Sequence, residues 1–286
     1  MKLIIQPDAG IAPIVKAIRG AKKTIDIVIF RFDRVEIEKA LAAAVERGVD
    51  VRALIAHTNK GGEKTLRKLE LRLLDCGLTV SRTADDLPRY HGKMMILDKV
   101  LHVYGFNYTK LDIDKSRSFG IVTKDKRLVQ EASRLFEADF NRHGYSPSQA
   151  RFIVSPENSR TVLTNFVRAA KKQLLIYDPQ VSDNLVQRAL LERAKADVEI
   201  RIIGSLEKNL PGVRIRKLGD LRLHVRAIVR DGASAFVGSQ SLRKLELDGR
   251  REVGVVVENA GVARRIAAVF EDDWAHGVKT GAKKAF

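Results

Sequence analysis

Short apolar runs alternate along the chain with stretches whose apolar residues recur at helical spacing, and this alternation predicts strands and helices in turn. In the first half, Leu3–Ile5, Ile25–Phe30 and Val51–Ala56 read as strands, with helices near Ile11–Arg19 and over Val35–Arg47 between them. In the second half, Phe152–Val154, Leu174–Tyr177 and Val198–Ile203 read as strands. They are separated by a helix starting at Pro156, a favoured first helical residue, and by one over Asp183–Lys195. Strands this apolar are expected to be buried on both faces, which suits a largely parallel sheet with helices on either side.

The two halves carry one pattern. Pro7 precedes Lys22-Lys23 by the interval that separates Pro156 from Lys171-Lys172. Ala40-Leu41 matches Ala189-Leu190, and Val49-Asp50-Val51-Arg52 matches Val198-Glu199-Ile200-Arg201, every pair 149 positions apart. Beyond this shared part the first half has an extra segment, Thr58–Tyr90, with a helix expected over Glu63–Leu74, where the second half has the shorter Ser205–Leu221. The register then resumes at a spacing of 133, with His91 against His224, Asp98 against Asp231 and Gly105 against Gly238. Ser118–Val122 stands against Glu252–Val256, and the helix ending Phe136–Phe140 against the one ending Phe270–Trp274. Gly144–Ser148, with a proline and few apolar residues, is the natural linker, which divides the chain into lobes at 1–146 and 147–286.

A chain of 286 residues with 45% apolar content can bury a good core as one large domain or as two lobes. Its 52 Lys and Arg against 35 Asp and Glu give a formal charge of +17. That charge suits a polyanionic partner such as nucleic acid or acidic lipid headgroups, or else a solvated basic surface. The densest local cluster, Lys279, Lys283 and Lys284, reads as a solvated end. The single cysteine, Cys76, excludes an intramolecular disulfide and a cysteine-based zinc cluster. No run approaches the roughly 18 apolar residues needed to cross a bilayer, and the first residues are too short an apolar stretch for a signal peptide core. A soluble, cytoplasmic protein is expected, with at most peripheral, transient contact with an anionic membrane.

The repeat places two copies of one short pattern at equivalent points. His91-Gly92-Lys93-Met94-Met95-Ile96-Leu97-Asp98 and His224-Val225-Arg226-Ala227-Ile228-Val229-Arg230-Asp231 each carry a histidine, a cation two residues on and an aspartate seven residues on. In an extended chain residues i and i+2 share a face, so each histidine and its cation would point the same way. A histidine can attack or protonate near neutral pH, and a cation beside it can hold a phosphate oxygen. The pairing points to phosphoryl chemistry. Asp98 and Asp231 lie an odd number of positions from their histidines and read as structural supports.

This pattern resembles the His-x-Lys-x4-Asp signature of the phospholipase D superfamily, which is usually present twice. The resemblance covers nearly the whole chain, including the repeat, both motifs and the strand beyond each. It implies an α/β (mixed α+β) fold of two pseudo-twofold-related lobes, each a mixed, mainly parallel β-sheet flanked by helices. The two motifs would meet in one active site within a monomer, with no metal and no cofactor. One histidine would attack phosphorus to form a covalent phosphohistidine, and the other would protonate the leaving alcohol before water or another alcohol releases the product.

On this chain the resemblance implies that His91 with Lys93 is the attacking side and His224 with Arg226 the proton donor. Lys93 and Arg226 would stabilise the equatorial oxygens of the transition state. Arg226 departs from the signature: it keeps the charge on a longer, planar fork. Glu252 resembles the family's acidic residue that orients a catalytic histidine, serving either His224 of its own half or His91 across the pseudo-dyad. Its counterpart is Ser118, so the second carboxylate is missing, and Asp112 and Asp114 stand as substitutes or as ordinary loop residues. The family's Gly-Ser-x-Asn is altered to Gly105-Phe106-Asn107 and Gly238-Ser239-Gln240-Ser241. Asn107, Ser239 and Ser241 are therefore the phosphate-binding candidates, the serines reading equally as turn residues.

Outside the motifs, His57, His102, His143 and His276 fit no metal-ligand spacing. His57 follows a strand at its carboxyl end, a place for a substrate contact or a solvated loop. Phe30-Arg31-Phe32 reads as core packing with Arg31 free to face the cleft. Three functions are expected in order. The first is a phospholipase D-type phosphodiesterase that hydrolyses or transfers a phospholipid phosphodiester. The second is a nuclease of the same superfamily acting on DNA or RNA. The third is a catalytically weak binder of acidic lipid or nucleic acid.

Overall fold

The computed structural model describes residues 1–58 and 63–279, so Lys283 and Lys284 lie outside the described residues. In chain order the first half forms β1 (Lys2–Gln6), α1 (Ala12–Gly20), β2 (Thr24–Ile29), α2 (Val35–Glu46), β3 (Asp50–Ile55), α3 (Glu63–Asp75), β4 (Thr79–Arg82) and β5 (Arg89–Tyr90). It continues with β6 (Met94–Leu97), β7 (Val100–Tyr104), α4 (Lys110–Asp114), β8 (Ser116–Thr123) and α5 (Lys126–Phe140). The second half forms β9 (Phe152–Ser155), α6 (Ser159–Arg168), β10 (Gln173–Val181), α7 (Asn184–Ala194), β11 (Glu199–Leu206), β12 (Val213–Lys217) and β13 (Arg222–Leu223). It ends with β14 (Ala227–Arg230), β15 (Ser234–Gly238), α8 (Lys244–Asp248), β16 (Arg250–Val257), α9 (Ala260–Ala275) and β17 (Val278–Lys279). Among the described residues no helix is long and apolar enough to cross a membrane.

Each half builds a mixed sheet. In the first, β2, β3 and β4 run parallel through α2 and α3, and β6, β7, β8 and β1 continue antiparallel from the other edge of β2. The second repeats this with β10, β11 and β12 parallel and β14, β15, β16 and β9 antiparallel. The sheets are mixed but not mainly parallel, since antiparallel pairs outnumber parallel ones. The reason is local. Leu97 pairs with Val100 across the turn Asp98-Lys99, and Arg230 pairs with Ser234, so both motif strands fold back as hairpins. Only antiparallel strands can be joined by so short a link.

Asp98 and Asp231 sit in those turns at φ 54°, a left-handed conformation that aspartate tolerates better than most residues. Asp98 accepts the backbone N–H groups of Lys22, Lys23 and Thr24, and Asp231 those of Lys171, Lys172 and Gln173. Each aspartate ties its motif hairpin to the start of the neighbouring strand. Pro156 is not the first residue of α6 as expected. Asn158 donates its N–H to Val154 O and accepts from Val154 N–H, closing a turn through Pro156, so the helix begins at Ser159.

The outer face of the first sheet is covered by α1, α2 and α3 around Ile14, Ile18, Leu41 and Leu73, and that of the second by α6 and α7 around Leu163, Val167 and Leu190. A third core joins the lobes, with Phe119, Phe136, Tyr177 and Phe270 buried between the inner sheet faces, α5 and α9. Two buried ion pairs cross this core in pseudo-twofold positions. Arg117 on β8 grips Asp273 of α9 bidentately, Nε to Oδ2 at 2.8 Å and Nη2 to Oδ1 at 3.0 Å, and Tyr177 also donates to that carboxylate. Arg251 on β16 reaches Asp139 of α5 at 3.2 Å and Glu157 at 2.5 Å.

Removing one member of such a pair strands a buried charge. Asp273→Asn is expected to lower the free energy of unfolding by about 3 kcal/mol in urea titration. Glu192→Gln, in the half-exposed pair with Arg168, should change it by less than about 0.5 kcal/mol. Equal effects would contradict the cross-lobe role given to Arg117.

Candidate active site

The two lobes exchange short strands beside their motifs. β5, just before His91, pairs in parallel with β16 of the second lobe at Arg250 and Arg251, and β13, just before His224, pairs with β8 of the first at Ser116 and Arg117. The exchange carries into the histidines themselves: His91 N–H donates to Arg251 O at 2.7 Å and His224 N–H to Arg117 O at 3.4 Å. Gly92 is needed because a Cβ there would stand 2.9 Å from Val253 Cγ2 on the strand it crosses. Both histidines thus arrive at one place from opposite lobes, and they line one cavity of about 350 Å³.

Glu252 serves the opposite lobe. Its fully buried carboxylate accepts from His91 Nδ1, with Oε2 at 2.8 Å and Oε1 at 3.0 Å. Burial raises its proton affinity, opposed by Lys93, the Ser239 hydroxyl and Arg226. Burial, with the charges of Lys93 and Arg226, holds the His91 imidazole well below its ordinary pKa, so the ring is neutral near pH 7. A neutral ring that donates through Nδ1 leaves the Nε2 lone pair available. Lys93 Nζ lies 2.8 Å from that nitrogen, 2.9 Å from Nδ1 and 2.8 Å from His91 O. Desolvation lowers this lysine to about 7 against the attraction of Glu252. Phe30 walls the ring edge-on at 4.5 Å.

The second half-site differs. Arg226 Nη1 donates to His224 O at 3.0 Å, the contact that Lys93 makes to His91 O. His224 Nε2 lies 3.6 Å from Asp112 Oδ2, while its Nδ1 is buried without a partner, as is Ser118 Oγ, the counterpart of Glu252. Asp112 is buried and held by Asn107, whose N and Nδ2 donate to it at 2.9 and 2.6 Å, and by Arg222 at 2.6 Å. Burial and Arg226 push the His224 pKa well down, with Asp112 opposing. Asp114 lies elsewhere, paired with Arg34.

The remaining expected residues divide. Asn107 lines the cavity with its Nδ2 donating to Asp112 and its Oδ1 buried without a partner. Ser239 and Ser241, expected at the phosphate, are fully buried away from the cavity lining. Ser241 Oγ donates to Asp178 at 2.5 Å, and Ser239 Oγ accepts from Val253 N–H at 3.1 Å. For Ser241 the physical reason is Asp178 of β10, whose buried carboxylate accepts from its hydroxyl and from Leu242 N–H; Ser239 is held by β16 and hydrogen-bonds Glu252. Arg31 does face the cavity, whereas His57 lines a different, smaller one. Sequence reasoning missed Arg89, Arg222, Arg243 and Arg250, which share the lining. A signal existed for two of them: Arg89-Tyr90-His91 and Arg222-Leu223-His224 put an arginine two residues before each motif histidine, on the same face.

The family model described as "Cardiolipin synthase, PLD-like domain" matches residues 14–140 and again 163–274, one motif in each. Among solved structures the chain is similar to a polyphosphate kinase from Porphyromonas gingivalis, with a TM-score of 0.78 and 18% identity over 96% of this chain and 50% of the kinase. It is also similar to phosphatidylserine synthase from Haemophilus influenzae Rd KW20, with a TM-score of 0.71 and 11% identity over 98% of this chain and 87% of the synthase. At these identities the likeness is one of fold, and the chain spans half the length of the kinase. No curated protein matches the sequence.

The pH dependence of kcat/KM reports groups in the free protein. For a nitrophenyl phosphodiester, whose phenolate leaves without a proton from His224, it should fall as pH rises through about 7, where Lys93 loses its proton, and the acid limb should lie well below 6.5, where His91 protonates. Lys93→Arg, which stays charged, should move the alkaline limb up by at least about one pH unit. A limb that stays in place would assign it to another group.

Proposed function

Since the chain belongs to the phospholipase D superfamily, we propose that it cleaves a phospholipid phosphodiester through a covalent phosphohistidine on His91. The observation that carries this is the hydrogen bond from His91 Nδ1 to Glu252 across the lobes, which frees Nε2 beside Lys93. The lobes, 1–146 and 147–286, supply one half-site each, so a single chain suffices.

His91 Nε2 attacks phosphorus, and the bond to the leaving alcohol breaks as His224 gives that oxygen a proton. An anionic phosphate entering beside His224, with Asp112 behind it, raises the proton affinity of this ring above its value in the empty site. Lys93 and Arg226 offset the charge on the equatorial oxygens. His224, now neutral, takes a proton from water or a second alcohol, whose oxygen displaces His91 Nε2. Asp98 and Asp231 hold the hairpins that carry both histidines.

A lipid substrate is supported by Leu111 on α4 and Leu245 on α8. They are about half exposed at pseudo-twofold positions, and each follows a lysine. Such lysine–leucine pairs suit transient contact with an anionic bilayer. A nuclease is the second reading, favoured by the arginines around the cavity.

The protein is expected to hydrolyse bis-(p-nitrophenyl) phosphate in excess EDTA, and His91→Ala or His224→Ala should each lower kcat by at least about 1,000-fold with the fold retained by circular dichroism. Phosphatidylglycerol vesicles and single-stranded DNA run in parallel sort the two substrates, and faster release from lipid is predicted. Turnover no greater than that of the double histidine variant would leave only a binding role.

A further inference from the structure

We infer that the two-histidine cavity is built for a substrate in which a second phosphate is linked directly to the one that reacts, a pyrophosphate or longer phosphate chain. The inference rests on the proposed function only in taking this cavity as the substrate site.

One phosphodiester carries a single negative charge, and Lys93 and Arg226 already stand where it would react. Yet six arginines line the same cavity: Arg31, Arg89, Arg222, Arg226, Arg243 and Arg250. Some are neutralised within the protein. Arg222 pairs with Asp112, and Arg243 and Arg250 share Glu246. Arg31 and Arg89 have no carboxylate within ion-pair distance among the described residues, and Arg89 is made less basic by burial and by the neighbouring charges of Arg250 and Arg31, against the longer-range attraction of Glu252 and Glu246. Glu252, Glu246, Asp112 and Asp178 offset part of this charge, and cations held together in excess of their counter-charges cost stability that an entering anion relieves. The uncompensated charge exceeds what one phosphodiester supplies.

The spare cations surround the same ring as the reacting groups. Arg31 Cζ, Arg89 Cζ and Lys93 Nζ stand 5.8, 5.5 and 5.7 Å from the centroid of the Phe30 ring, and the His91 ring stands 4.5 Å from it. The spare cations therefore gather around the same ring as the nucleophile and its lysine. Arg31, Arg89 and His91 all line one cavity of about 350 Å³, so a second phosphate held by the two arginines would share that cavity with the first. A nucleic acid would also want aromatic faces on which bases stack. Phe30, the one aromatic in the lining, is turned edge-to-face to His91 and ringed by cations. Guanidinium groups suit this ligand because each can bridge two phosphate oxygens.

Isothermal titration calorimetry at constant ionic strength tests the inference with phosphate, pyrophosphate, tripolyphosphate, ADP and a thymidine tetranucleotide. Pyrophosphate is expected to bind at least about tenfold more tightly than phosphate. The double variant Arg31→Gln/Arg89→Gln should reduce that ratio to below about threefold. Arg188→Gln/Lys195→Gln, which removes the same charge from the exposed surface of the second lobe, should preserve it. Tighter binding of tripolyphosphate would identify an inorganic chain as the source of the linked phosphates, and tighter binding of ADP a nucleotide ester; either upholds the inference. Equal affinity for phosphate and pyrophosphate, a preference that survives the double substitution, or a tetranucleotide that binds more tightly than pyrophosphate would overturn it. Binding is read without turnover, so failure of the phosphodiesterase reading and failure of this inference are separate results.

Discussion

The site depends on a strand exchange between lobes. His91 N–H is bonded to Arg251 O, and that bond fixes Glu252, the next residue on β16, against the imidazole. Neither lobe by itself supplies a carboxylate to its own motif histidine. The carboxylate is fully buried, which is costly unless charge is placed near it, and Lys93 and Arg226, one from each lobe, meet that cost. The same strands also lock the lobes together. Arg117 and Arg251, adjacent in sequence to Ser118 and Glu252, hold Asp273 and Asp139 of the opposite lobes. Packing and site geometry are therefore set by neighbouring residues of β8 and β16, and loosening one disturbs the other.

The pseudo-symmetry of the two half-sites is broken at their carboxylates. Glu252 holds Nδ1 of His91, whereas Ser118 in the equivalent place is too short to do the same for His224. Asp112 approaches the other nitrogen of His224 instead, from a short helix of the first lobe. Two histidines of one repeat thus have different carboxylate partners at different ring atoms. That is the kind of difference that separates a nucleophile from an acid. Lys93 and Arg226 differ too, yet both donate to the backbone carbonyl of their own motif histidine, so the substitution keeps the positioning contact.

Much of this was legible in the chain. The repeat, the strand and helix order and the paired motifs all rest on local periodicity and spacing, and the structure places both motif histidines in one cavity. What sequence could not give was mostly long-range. Glu252 is 161 residues from His91, and only the strand exchange shows which histidine it meets. The sheets were expected to be mainly parallel because their apolar strands are buried on both faces, a property that the two lobes' shared core also gives to antiparallel hairpins. The partners of Ser239 and Ser241 are likewise distant in sequence: Ser241 donates to Asp178, and Ser239 hydrogen-bonds Glu252. Asp112 and Asp114 stood alike as substitutes or loop residues, and only the fold shows that Asp112 is the one buried beside His224. Arg89 and Arg222 were within reach, since each shares the alternation that paired His91 with Lys93.

The central claim is that the cross-lobe carboxylate makes His91, and not His224, the attacking ring. Rapid denaturing quench of the protein during turnover of a ³²P-labelled phosphodiester, followed by mapping of the labelled peptide under alkaline conditions, tests it most directly. The account predicts phosphate on His91 through Nε2, with the label lost in Glu252→Gln. Label on His224, or undiminished label on His91 in that variant, would contradict it.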